Sequence, residues 1–150
     1  MKIETKRLTL VPSTPESVSR YAEGNELGKH IFSYLKKLEN NPDLYGWGVW
    51  LVIENESGNL AGDIGFKGKP DAARTVEIGY GIIPLFRGKG YATESVKSLI
   101  DWAFATGEVD KVTAECLQDN LPSIKVLNKC FMEYTHKDGD MLKWKLEKTQ

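Results

Sequence analysis

Residues Phe86 to Ser95 read FRGKGYATES, which sets Arg87, Gly88, Lys89 and Gly90 directly before a run of helical periodicity. A helix start leaves backbone N–H groups without partners and carries the positive end of the helix dipole, which favours bound anions and phosphates above all. Gly88 and Gly90 permit the tight turn and close backbone approach of such a cradle, and Arg87 and Lys89 add positive charge. The same residues also fit an ordinary helix preceded by a glycine-containing loop. The spacing of a nucleoside-triphosphate loop is absent, and Thr93 stands where a dinucleotide fingerprint would carry its third glycine.

The preceding segment, TVEIGYGII, reads as a strand. Val76, Ile78, Tyr80 and Ile82 share one face, and Glu77, Gly79 and Gly81 share the other. Glycine weakens a strand and marks close approach by a ligand or another backbone. A carboxylate beside that cleared face suits a general base, acting directly or through water. The alternative is a solvent-facing glutamate at a sheet edge. Further on, Asp119-Asn120-Leu121-Pro122-Ser123 opens another helix, with Asn120 placed to cap it and Ser123 in its first turn.

Positioning these residues takes a framework that the rest of the chain spells out. LTLV alternates as a first strand near residues 6 to 11, and Thr14-Pro15-Glu16 starts a short helix reaching about Tyr21. Leu27, Ile31, Tyr34, Leu35 and Leu38 recur at helical spacing before Asn40-Asn41-Pro42-Asp43. WGVWLVIE and LAGDIGF form a hairpin around ENESGN, and TVEIGYGII is the third consecutive antiparallel strand. Ala92, Ser95, Val96, Leu99, Ile100, Trp102 and Ala103 mark one face of the helix after the loop. KVTAECL is a strand, LPSIKVLNKC a helix, and FMEYTH with MLKWKLEK a closing hairpin. The expectation is an α/β (α+β) fold: one domain over residues 1–150, with a mixed, mostly antiparallel sheet of about seven strands flanked by about four helices.

Composition narrows the partners. The 150 residues include 20 basic and 21 acidic side chains for a net charge of -1, with no basic stripe for nucleic acid. No stretch has the length of a signal peptide core or a membrane span, so a cytoplasmic address and no membrane partner are expected. Cys116 and Cys130 lack Cys-x-x-Cys spacing and read as buried free thiols. His30 and His136 have no companions at zinc-ligand spacing, and no metal is expected.

Arg87-Gly88-Lys89-Gly90-Tyr91-Ala92 resembles the Arg/Gln-x-x-Gly-x-Gly/Ala loop with which GNAT-superfamily N-acetyltransferases hold the pyrophosphate of acetyl-CoA. Thr5-Lys6-Arg7-Leu8-Thr9-Leu10 is similar to the opening strand of the branch that acetylates ribosomal-protein N-termini (RimJ/RimL-like), and Asp119 to Ser123 to that branch's Asn-x-x-Ser segment. The resemblance implies acetyl-CoA as cosubstrate, held by the end of the strand at Ile82 and Ile83, the backbone of Arg87, Gly88, Lys89, Gly90, Tyr91, Ala92 and Thr93, and Asn120 and Ser123. It implies Glu77 as the base. Many members place a tyrosine seven residues after the asparagine; here that position is Leu127, so the branch's serine, Ser123, becomes the acid.

The resemblance further implies direct attack by a primary amine in a ternary complex, the acceptor being a peptide or protein N-terminus or a small-molecule amine, and the enzyme a monomer or homodimer. His30, Tyr34, Trp47 and Trp50 fall in the segments that would form the acceptor site, but read first as packing. The family's usual Gly-Phe after the last helix is missing here, where Phe131 follows Cys130. Two rivals carry no catalysis: an acyl-CoA-binding sensor or partner-recruiting module, and a general phosphate-binding scaffold.

Overall fold

Leu8, Leu10 and Pro12 turn inward in strand β2 (Leu8–Pro12), and the two-residue strand β1 (Ile3–Glu4) folds back antiparallel onto it in this computed structural model, which describes residues 1–22 and 28–149. Helix α1 (Pro15–Tyr21) starts on a reciprocal capping box: Ser17 N–H donates to Thr14 Oγ1 at 3.0 Å, and Thr14 N–H donates to Ser17 Oγ at 2.8 Å. Helix α2 (Lys29–Asn40) buries Ile31 and Tyr34 and stops before Pro42. Leu27, expected on its apolar stripe, lies outside the described residues.

Strands β3 (Val49–Glu54), β4 (Leu60–Phe66) and β5 (Thr75–Ile82) follow as the antiparallel trio expected from their alternation. Helix α3 (Tyr91–Ala105) crosses to β6 (Lys111–Leu117), helix α4 (Leu121–Lys129) comes next, and β7 (Glu133–Asp138) and β8 (Met141–Glu147) close the chain. Among the described residues the sheet has eight strands in the order β1-β2-β3-β4-β5-β6-β8-β7, one more than expected. The addition is β1, too short to show a period of two.

Alternation along the strands feeds two cores. Leu8, Leu10, Val52, Val76, Ile78 and Val112 pack with Val96, Leu99, Ile100 and Leu127 beneath α3 and α4, while Leu51, Ile53 and Leu60 pack with Ile31 on the opposite face. Trp50 is fully buried, and its ring meets Trp102 at 5.1 Å; Trp47 meets the same ring at 4.9 Å. Packing rather than catalysis explains Trp50.

Among the described residues only β5 and β6 run parallel, and they pair only from Thr75–Lys111 to Glu77–Thr113. Beyond that point β5 follows β4 as far as Ile82, while β6 follows β8 along its whole length. A wedge therefore opens between residues 78–82 and 114–117. At its far side α4 ends on Cys130, and Phe131 takes the left-handed φ of 64° that a glycine would adopt without strain.

Candidate active site

The glycine loop is built from backbone. Gly88 and Gly90 have φ of 78° and 83°, and Gly90 starts α3 with no side-chain cap. Arg87 N–H donates to Pro84 O and Glu94 N–H to Gly90 O, but among the described residues the N–H groups of 88 to 93 meet no protein acceptor. Six consecutive free donors at the positive end of a 15-residue helix make a concave anion site.

The loop's cations brace it. Arg7 Nη1 donates to Lys89 O at 2.7 Å, and Lys89 Nζ lies 3.7 Å from Glu54 Oε2, which also accepts from Tyr91 Oη at 2.6 Å. The Tyr91 hydrogen bond, with help from Ser57 and Lys89, holds the Glu54 carboxyl below the usual carboxylate range against the opposing effect of burial. Glu94 in turn accepts from Arg7 N–H at 2.9 Å and Arg7 Nε at 2.8 Å. Arg87 Nε reaches back to Ile82 O at 2.9 Å.

The wedge supplies a second kind of backbone site. Lys67 N–H donates to Glu77 O and Ile83 N–H to Ala61 O, so the odd-numbered residues of β5 turn their polar groups toward β4. Ile78, Tyr80 and Ile82 turn theirs the other way; Ile78 N–H is still spent on the β6 ladder at Glu77–Thr113 and Ile82 O on Arg87 Nε, which leaves the C=O of Ile78, both groups of Tyr80 and the N–H of Ile82 facing the gap that β6 has left. An extended chain bearing amides can add there as a further strand.

Two cavities flank this edge. One, of about 660 Å³, runs from the loop to α4 and is lined by Ile82, Arg87, Gly88, Gly90, Tyr91, Ala92, Thr93, Asn120 and Ser123. Ile83 and Lys89 do not line it: Ile83 packs toward the α2 face, and Lys89 turns to Glu54. The other, of about 750 Å³, lies between α2 and β3–β5 and is lined in part by His30, Tyr34, Trp47, Gly79 and Gly81. A Cβ at Gly79 or Gly81 would meet nothing within 4 Å, so these glycines leave that floor open. The residues shared by both cavities are Tyr80 and Gly81.

At that junction Tyr80 Oη donates to Ser123 Oγ at 3.2 Å. Asn120 Oδ1 caps α4 by accepting from Ser123 N–H at 3.2 Å, which fixes the serine's backbone. Burial raises the Tyr80 hydroxyl above its ordinary value, outweighing the hydrogen bond with Ser123, so it is a neutral donor across the physiological range. Tyr80 was hidden in the sequence because its period places it with Val76 and Ile78 as core. The available signal was a hydroxyl at the frayed end of that face, between two glycines.

Glu77 stands apart. It lies on the opposite face of β5, three residues and about 10 Å along the strand from Tyr80, and lines neither cavity. Lys67 Nζ holds its Oε2 at 2.6 Å. The fold thus brings the loop, Asn120 and Ser123 together and leaves Glu77 outside their contact range. In the larger cavity His30 Nε2 meets Asp63 Oδ1 at 3.1 Å, a pair that sequence separation concealed. Both cysteines are buried and free; burial pushes the Cys130 thiol up to about 11. Among the described residues no group of three or more His, Cys, Asp or Glu side chains could hold a metal.

Comparison with known proteins agrees with this architecture. Residues 4–133 match the model of the acetyltransferase (GNAT) domain. The Bacillus subtilis protein YjdG, described as an uncharacterized N-acetyltransferase, is 34% identical over 107 residues, covering 71% of this chain and 64% of YjdG. The chain spans about half the length of several other curated relatives. Among solved structures, ribosomal-protein-S5-alanine acetyltransferase from Vibrio fischeri superposes with a TM-score of 0.77 at 14% identity, covering 98% of this chain and 96% of that one. RimL, a ribosomal L7/L12 α-N-protein acetyltransferase in complex with coenzyme A, gives 0.74 at 15% identity, covering 98% of each chain.

Proposed function

The chain belongs to the GNAT acetyltransferase family, and from that premise we propose that it transfers an acetyl group from acetyl-CoA to a primary amine by direct attack in a ternary complex. The observation that carries this reading is the continuity of the backbone site. Free N–H groups at 88 to 93 lead into the unpaired edge of β5, which meets a second cavity at Tyr80 and Gly81. A pyrophosphate suits the first part and the amides of a pantetheine arm suit the second. The thioester would then lie at the junction, open to an amine entering over Gly79 and Gly81.

In this reading the N–H groups of Gly88 to Thr93 hold the pyrophosphate, and Ile78, Tyr80 and Ile82 pair with the arm. Ser123 donates to the sulfur as the C–S bond breaks. Glu77 accepts the acceptor's proton, and its separation from the junction requires an intervening water. Burial of Cys116 and Cys130 favours direct transfer over an acetyl-cysteine intermediate. The acceptor is read as a peptide or protein α-amine before a small-molecule amine, following the branch resemblance. RimL, named for its action on ribosomal L7/L12, supports that order through its fold alone.

One observation favours a second reading. Glu77 is gripped by Lys67 and lines neither cavity, which would suit an acyl-CoA sensor without turnover. Thiol release from acetyl-CoA across peptides, polyamines and aminoglycosides separates the two. Amine-dependent release supports transfer; tight CoA binding with no release for any amine supports the sensor. Calorimetry with CoA against ATP tests the remaining scaffold reading, which requires comparable affinity for both.

A further inference from the structure

Position 127, where a helical tyrosine would stand, holds a leucine that is 1% exposed and packed in the core. A tyrosine hydroxyl instead meets Ser123 from another element. Tyr80 leaves β5 at the point where β6 has diverged, so its ring crosses the wedge and its Oη donates to Ser123 Oγ at 3.2 Å. Two hydrogen bonds then fix the serine. Its N–H is committed to Asn120 Oδ1, its Oγ accepts from Tyr80, and its own O–H meets no acceptor among the described residues. That proton is left free beside the smaller cavity, which Ser123 lines.

We propose that Tyr80 is the positioning residue of the leaving-group site: by donating to Ser123 Oγ it orients and strengthens the serine O–H as donor to the departing CoA thiolate. This rests on the acetyl-transfer reading above. The C–S bond breaks with its electron pair on sulfur, the new N–C bond forms, and the amine's proton passes to the base and on to solvent. Tyr80 and Ser123 keep their protons throughout. A thiolate whose thiol titrates near 8.5 is too weak a base to take one from an alkyl hydroxyl or from a tyrosine that burial raises above its ordinary value. What the pair supplies is two hydrogen bonds in series, each polarising the next, aimed at charge that appears only as the bond breaks.

The test reads the thiolate itself and needs no acceptor amine. The thiol of bound CoA is titrated by ultraviolet difference absorbance against bound desulfo-CoA, in the wild type, Tyr80→Phe, Ser123→Ala and the double variant, with CoA affinity measured by calorimetry. The wild type should hold the thiol below its free value near 8.5. Tyr80→Phe should lower the thiolate-to-thiol ratio by about two- to fourfold at fixed pH, the scale of a hydrogen bond that acts on the charged sulfur only through a second one, with CoA affinity at low pH within about twofold. In the Ser123→Ala background the same change should have almost no effect. Equal thiol titrations in the wild type and Tyr80→Phe, or a Tyr80→Phe effect undiminished without Ser123, would overturn the proposal, as would failure of CoA to bind. A shifted thiol in a protein that acetylates no amine would leave this inference standing and sink the transfer reading.

Discussion

Lys67 Nζ stands 2.6 Å from Glu77 Oε2 and 3.8 Å from Glu115 Oε1, so the candidate base is one corner of a charge cluster that Lys143 completes through Glu115. β4 and β5 are adjacent there, and the cluster sits where β5 and β6 begin to part. If Glu77 receives the acceptor's proton, Lys67 keeps it aimed between turnovers. Glu77→Gln should lower kcat by roughly 100-fold and leave CoA affinity within about twofold. Steady-state kinetics beside calorimetry checks this, and an unchanged kcat across pH removes Glu77 from the mechanism.

The open floor at Gly79 gives a separate prediction for the acceptor side. A Cβ there meets nothing within 4 Å and the residue lines only the larger cavity, so Gly79→Leu should fill acceptor space without touching the loop. The expected result is a rise of about tenfold or more in acceptor KM, the scale of a few lost contacts, with unchanged CoA affinity. Equal losses for both substrates would show a sheet disturbance instead.

Gly88 offers the complementary case. Its φ of 78° costs a side chain roughly 1–2 kcal/mol, although the surrounding space is empty. Gly88→Ala should therefore weaken CoA at least tenfold, with only a modest fall in Tm. Unaltered CoA affinity would place the pyrophosphate elsewhere.

Glu94 links pH to the loop. Burial raises its carboxyl, but hydrogen bonds from Thr5 and Arg7, together with the Arg7 charge, more than offset this and leave it below the usual range. A carboxyl lowered on folding contributes stability that is present above its unfolded value, near 4.3, and is lost as pH falls through the folded value. The Tm difference between wild type and Glu94→Gln should be constant near neutrality and shrink below about pH 4. A difference independent of pH down to the acid transition would remove the carboxylate's charge from the clamp.

The parts legible in the sequence were those fixed by near neighbours. Thr14-Pro15-Glu16 gave α1 its start, TVEIGYGII its two faces, and Gly88 and Gly90 a turn before α3, because capping, pleat and positive φ are local matters. Pairings across the chain were not legible. The clamp joining Arg7 to Lys89 and Glu94 spans more than 80 residues of sequence, and the wedge exists because beyond Thr113 β5 stays with β4 while β6 stays with β8. Neither leaves a periodic trace. Tyr80 was obscured for a related reason: the face it shares with Val76 and Ile78 is core only while β6 remains alongside.

The most direct measurement of the central claim is mass spectrometry of both acceptor and protein after incubation with acetyl-CoA and a panel of α-amino peptides and small amines. The account predicts one acetyl group on the amine for each CoA thiol released and none retained on the protein. Bound CoA with no acetylated amine, or an acetyl group lodged on the protein as an obligatory intermediate, would contradict it.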